Sequence, residues 1–209
     1  MTTATISAGD PHAPDAIVIG IVGDSISAGT PDWDPDPAVR ATIAAPNEQS
    51  AWPYWAAQAD PRLVFVVSAV DGERIDQILT RLDLVTDGVS ALVVQGGIND
   101  IVQGRTPEQA AAGLRTLMER ALSVGVPVAV PDILPWNRGY PDHEAPIREL
   151  NRRLRDIADE LGVTVLAFHD TLEDPDRPGR MRGDWTVDLS HPSVAGHRRL
   201  GELAFRVPE

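Results

Sequence analysis

Five runs of apolar, largely β-branched residues, at 17–22, 63–67, 91–95, 126–130 and 163–167, constrain this chain more than anything else in it. Their near-continuous apolarity, without polar alternation, marks strands covered on both faces. Between them lie segments 74–85, 106–124 and 143–161 with apolar residues at helical spacing, as in Ile75, Ile78, Leu79 and Leu82. Thr106, followed by Pro107 and by Gln109 three residues on, is a helix-start signal, and Gly125 and Gly162 stand where helices should end. The β-α-β-α order predicts an α/β fold with a central parallel sheet of about five strands, helices on both faces and right-handed crossovers.

A chain of 209 residues with 43% hydrophobic content suits one globular domain. Residues 1–14 are polar and lack apolar periodicity, so they read as a flexible leader before a domain at 15–209. No apolar run approaches the ~20 residues of a membrane helix, and the N-terminus has no basic flank or apolar h-region. A cytoplasmic protein without membrane insertion is therefore expected. The absence of cysteine excludes disulfides, a thiol nucleophile and thiolate metal sites, which leaves oxygen or histidine as nucleophile. A net charge of −13 repels phosphates, so no nucleic-acid partner is expected and a neutral small molecule is favoured. All 18 basic residues are arginine, so no lysine is present for a Schiff base or a phosphate loop.

Gly23-Asp24-Ser25 comes straight off the first apolar run and puts a hydroxyl at the end of a buried strand, where open α/β sheets place their chemistry. Far downstream, Asp188-Leu189-Ser190-His191-Pro192 supplies a carboxylate and an imidazole three residues apart, and Gly97-Ile98-Asn99-Asp100 lies between the two blocks. Together they suggest an acyl-transfer site. Taken singly, Ser25 can equally be a helix N-cap, Asn99-Asp100 a plain turn, Gly72 a strand end, and His191 a structural histidine before a helix starting at Pro192. Asp184, Asp188, His191 and His197 are conceivable metal ligands, but their spacing matches no familiar signature. His197 has the look of a surface helical position, and His12, His143 and His169 carry no surrounding signal.

Block by block, residues 17–205 resemble the SGNH (GDSL-like) hydrolases, a family of serine esterases and acylhydrolases. Gly23-Asp24-Ser25 matches the first block, Gly72 the second-block glycine, Gly97-Ile98-Asn99-Asp100 the third, and Asp188 to Pro192 the last. The resemblance implies a flavodoxin-like three-layer α/β/α sandwich. It implies Ser25 as nucleophile, His191 as its base and Asp188 as the acid that orients the imidazole. The oxyanion donors it implies are the Ser25 N–H, the Gly72 N–H and the Asn99 side-chain amide. It calls for no metal and no organic cofactor, and its substrate is a small-molecule ester. A nucleophile elbow is excluded because Gly-x-Ser-x-Gly would need glycine at Ser27.

Two departures stand out. Relatives often carry Asn and Gly ahead of the second-block glycine, where this chain has Val70 and Asp71, and often show Asp-Asp-Gly-x-His, where it has Val187 and Leu189. Loops around Trp33, Trp52, Trp55 and Trp136 are expected to cover one rim, although Trp33, Trp52 and Trp55 read more readily as packing residues, and the loops at 28–53 and 131–141, expected to set selectivity, contain no long apolar stretch. Short-acyl esters are therefore favoured, acetyl esters of carbohydrates among them. An acyltransferase, a medium-chain lipase or lysophospholipase, and a catalytically idle binding module stay open as alternatives. Phosphotransfer from Asp24 is disfavoured by Ile26 standing where a second acid is needed.

Overall fold

The computed structural model describes residues 3–29 and 48–208, so Trp33 and most of the expected 28–53 loop lie outside the described residues. All five expected strands form: β2 (Ile17–Gly23), β3 (Leu63–Ala69), β4 (Ala91–Val94), β5 (Val128–Pro131) and β6 (Thr164–Leu166). A sixth, β1 (Ala4–Ser7), comes from the stretch read as a flexible leader and pairs antiparallel with β3. Its residues alternate in polarity and are only half covered, as suits an edge strand held by backbone pairing rather than burial. The sheet order is β1-β3-β2-β4-β5-β6, and β2 through β6 are parallel.

Counted among the parallel strands alone, that order is 2-1-3-4-5, the flavodoxin-like arrangement. Its chain reversal falls between β2 and β4, and ligands in such sheets sit outside the strand ends at that point. Pleat alternation sends neighbouring residues to opposite layers. Val22, Leu92, Val94 and Val130 face a core closed by helices Ile75–Leu79, Pro107–Leu122 and Glu144–Leu161. Ile19, Ile21, Val93 and Ala129 face the other core, under helices Trp52–Ala59, Phe168–Leu172 and Val194–Arg199. Gly20 is required on the first side, because a Cβ there would run into the Val85 carbonyl. No helix among the described residues is long and apolar enough to cross a membrane.

Three sequence expectations change. The 74–85 segment is a short helix, Ile75–Leu79, followed by a 3-10 turn, Leu82–Val85, with the break at Arg81, whose guanidinium turns inward. Trp52 and Trp55 lie on a helix rather than a rim loop. Trp52 is fully buried among Phe65, Phe168 and Phe205, with ring centroids 5.3–5.7 Å away. His197 is not on the surface but 0% exposed. The final helix continues as a π turn, Leu200–Ala204, and its inward face runs His197, Leu200, Gly201, Ala204. The flanking Arg198 and Arg199 disguise that stripe.

Candidate active site

β2 ends at Gly23 and turns at once into the helix Ser25–Ala28, which Asp24 caps by accepting from the Ile26 N–H at 3.0 Å. With Asp24 as the cap, Ser25 is the first helical residue and its hydroxyl is not spent on capping. Gln95, directly after β4, crosses the chain reversal to clamp this turn. Its Oε1 accepts from the Asp24 N–H at 3.0 Å and from Ser27 Oγ at 3.1 Å, and its Nε2 donates to Asp24 Oδ1 at 2.7 Å. A Cβ on Gly23 would stand 2.5 Å from Gln95 Oε1, so only glycine admits the clamp. Trp52 Nε1 donates to Ser27 Oγ at 3.1 Å, which anchors the same turn to the aromatic core. Burial raises the Asp24 pKa, although the Ile26 N–H and the Gln95 amide oppose the rise.

The second half of the site is one turn, 186–192, closed by a bridge between Thr186 and Pro192 and by Val187 N–H donating to the His191 carbonyl at 3.1 Å. Within it Asp188 Oδ1 accepts from the Ser190 and His191 N–H groups at 2.9 and 2.7 Å. Asp188 Oδ2 lies 2.9 Å from His191 Nδ1, and His191 Nε2 lies 3.0 Å from Ser25 Oγ, across 166 residues of chain. Burial would raise the Asp188 pKa, but the His191 ring and the two backbone donors outweigh it and hold the carboxyl well below its ordinary range. An ionised Asp188 requires Nδ1 to carry the proton, so the Nε2 lone pair is left to accept from the Ser25 hydroxyl. Trp136 packs edge-on against the imidazole, with ring centroids 5.9 Å apart.

Gly72 lies in the turn after β3, with φ 75° and open space where a Cβ would be. Among the described residues the N–H groups of Ser25 and Gly72 donate to no acceptor. Asn99 Nδ2 is 3.0 Å from the Glu73 carbonyl and 3.3 Å from Asp24 Oδ2, so the amide stands between the Asp24 turn and the Gly72 turn. The neighbouring Asp100 is structural. It is fully buried, accepts from the Ile75 N–H at 3.1 Å and pairs with Arg105 at 2.9 Å.

Sequence reasoning missed the groups that hold these turns together. Buried Arg81 donates to the Gly23 carbonyl, Ser68 Oγ and Glu73 Oε2, each at 2.9 Å, and also to the Ser68 carbonyl. Gln103 Nε2 donates to the Gly72 carbonyl at 2.8 Å. The four residues considered as metal ligands do not assemble: Asp184 pairs with Arg182 at 2.8 Å, Asp188 serves His191, and His197 lies in the core. Among the described residues the one grouping of suitable ligand atoms is His169, Asp170 and Glu173, all within 4.8 Å of one another. There Glu173 Oε1 is already engaged by the Gly179 N–H at 2.6 Å and by Arg148 at 3.3 Å. Beside Ser25, Ile26, Gln95, Ile98, Ile133 and Trp136 line a cavity of about 10 Å³, room for little more than one water-sized sphere.

An ionised carboxylate, an oriented imidazole and a hydroxyl in hydrogen-bonded series are equipped to activate that hydroxyl as a nucleophile. Comparison with known proteins places the fold and the family. The most similar solved structures include a lipolytic protein of the G-D-S-L family from Veillonella parvula, 21% identical over 89% of this chain and 94% of that one, with a TM-score of 0.71. A mutant of an acetyl-xylooligosaccharide esterase from Geobacillus is 16% identical over 92% and 96% of the two chains, with a TM-score of 0.69. TesA is 21% identical over 88% and 94%, with a TM-score of 0.65. No curated protein sequence matches. Across residues 21–199, which take in every motif residue from Gly23 to His191, the chain matches a family model, and it belongs to the GDSL-like lipase/acylhydrolase family of hydrolases.

Proposed function

We propose that this hydrolase is a serine esterase that cleaves short-acyl carboxylic esters through an acyl-serine intermediate. The observation that carries the reading is the continuous series Asp188–His191–Ser25, with links of 2.9 and 3.0 Å. Ser25 Oγ attacks the ester carbonyl while His191 Nε2 takes its proton, and Asp188 stabilises the resulting imidazolium. The tetrahedral oxyanion is met by the otherwise unengaged N–H groups of Ser25 and Gly72 and by Asn99, whose 3.3 Å contact with Asp24 is long enough to yield. Collapse expels the alkoxide, which leaves as the alcohol with the proton from His191. Water, deprotonated by His191, then attacks the acyl-serine, and a second collapse returns the proton to Ser25 and frees the acid.

The cavity lined by Ile26, next in sequence to Ser25, and by Trp136, which packs on His191, is small at about 10 Å³, which favours a short acyl group over a long chain. A structural neighbour that acts on acetylated xylooligosaccharides is consistent with acetyl transfer to water. Hydrolysis of p-nitrophenyl acetate and dodecanoate by wild type and by folded Ser25→Ala tests both halves. Acetate turnover that disappears in the variant, with little on dodecanoate, is expected. Turnover retained by Ser25→Ala would remove Ser25 as nucleophile, and a dodecanoate preference would remove the short-acyl assignment.

A further inference from the structure

Leu189 is the one non-glycine residue with positive φ among the described residues, at 70°. The turn demands this conformation. With residue 189 in the left-handed region, the Ser190 and His191 N–H groups both reach Asp188 Oδ1, and Arg138 fixes the stretch from outside through its N–H to the Leu189 carbonyl at 2.8 Å. Glycine adopts that φ freely, whereas a residue with a Cβ does so only at a cost in free energy. The leucine recovers little by packing among the described residues, because it is 56% exposed, more than any other large hydrophobic residue described. A strained and exposed apolar side chain, flanked by Asp188 and Ser190 in the turn that orders His191, points to a role outside the fold.

We propose that Leu189 is a substrate-contacting residue that selects esters of apolar alcohols; the assignment rests on the esterase reading above. The small cavity lined by Ile26, next in sequence to the nucleophile, and by Ile98 is where the reading above puts the acyl group, whereas the leaving alcohol must reach His191 Nε2, the atom that protonates it. Leu189 lies two residues before His191 in the same turn, and the proposal puts its side chain on the alcohol side. Apolar surface continues nearby. Trp136 lies against the imidazole, and 39%-exposed Val70 is tied by its N–H to the Gly23 carbonyl at 3.1 Å. The guanidinium of Arg138 also stands at this turn, 3.2 Å from the Asp188 carbonyl and 3.8 Å from Oδ2, where it is directed at Asp188.

Hydrolysis of methyl, butyl and hexyl acetate, which share one acyl group, isolates the alcohol. Wild type, Leu189→Gly, Leu189→Asn and Ser25→Ala are compared. Asparagine accepts the left-handed conformation, so it removes the apolar side chain without loosening the turn. The hexyl-to-methyl ratio of kcat/KM is expected to fall about tenfold in both Leu189 variants, the worth of part of a leucine's apolar surface. An unchanged ratio in either variant overturns the proposal, as does an equal loss on all three esters. Activity surviving in Ser25→Ala overturns the esterase reading instead, whatever the ratio shows.

Discussion

Replacing His197 by glutamine and comparing stability at pH 7 and pH 5 measures what a fully buried imidazole contributes. Burial pushes the His197 pKa down from 6.5 to about 3, and the nearby His191 adds to the shift. A group whose folded pKa lies below its unfolded one binds fewer protons when folded. Its contribution is therefore complete above the unfolded value and is lost as the pH falls from 6.5 toward 3. At pH 5 the unfolded histidine is protonated over neutral by roughly thirty to one while the folded one stays neutral, which removes about 2 kcal/mol; at pH 7 the corresponding loss is about 0.2 kcal/mol. Because pH 5 lies well above the folded value, the loss is set by the unfolded chain and hardly depends on how far below 5 the folded value falls.

Urea unfolding followed by tryptophan fluorescence at the two pH values reads this directly. Wild type is expected to lose about 2 kcal/mol more than His197→Gln between pH 7 and pH 5, since every other histidine is common to both. Any packing defect of the glutamine lowers both of its values and cancels in the difference. Parallel losses in the two proteins, within about 0.5 kcal/mol, would refute the buried, neutral His197 and with it the inward face of the final helix.

Asp188→Asn keeps an oxygen for the Ser190 and His191 N–H groups but turns an amide N–H toward His191 Nδ1. That forces the proton onto Nε2, where it faces Ser25, so kcat should fall about 10⁴-fold with little change in thermal stability. A loss under tenfold in a kinetic assay would show that the tautomer does not matter here. Gln95→Leu leaves the Asp24 N–H and the Ser27 hydroxyl without their acceptor and strips a donor from the buried Asp24 carboxylate. At about 1–3 kcal/mol for each of these three buried groups, denaturant unfolding should show a loss of at least about 3 kcal/mol, and one below about 1 kcal/mol would count against the clamp.

The elements legible in the sequence were those whose signal is local. Continuous β-branched runs dictated β2 to β6, because strands buried on both faces cannot afford polar alternation. Ser25, Asp188 and His191 stood out because each sits in a short block, and they meet at the strand ends where such sheets place their chemistry. What stayed hidden is held by long-range partners. Gln95 looks like the last residue of an apolar run, and its function comes from Asp24, 71 residues away. Arg81 reads as a helical surface charge, yet it is buried because the Gly23 carbonyl, Ser68 and Glu73 converge on it from separate elements. His197 was misplaced for a related reason: charged neighbours concealed an inward stripe that only the packed helix reveals.

The division of labour among these bonds bears on how the site can react. Ser25 is positioned through the backbone of its turn, which Asp24, Gln95 and Arg81 fix from below, and none of those bonds involves its hydroxyl. His191 is positioned through Nδ1 and its own N–H, both directed at Asp188, and its Nε2 faces Ser25 Oγ at 3.0 Å. Each proposed reacting atom therefore keeps its capacity for the partner it must exchange a proton with, while its placement is set by atoms that do not react. Such a site needs little reorganisation when charge develops, which is the condition under which fixed donors stabilise a transition state more than water does. It also follows that mutations in the supporting bonds should lower kcat through misplacement without altering which groups react. Mutations at Ser25 or His191 remove the chemistry itself, and the two classes separate by whether residual turnover still requires Ser25.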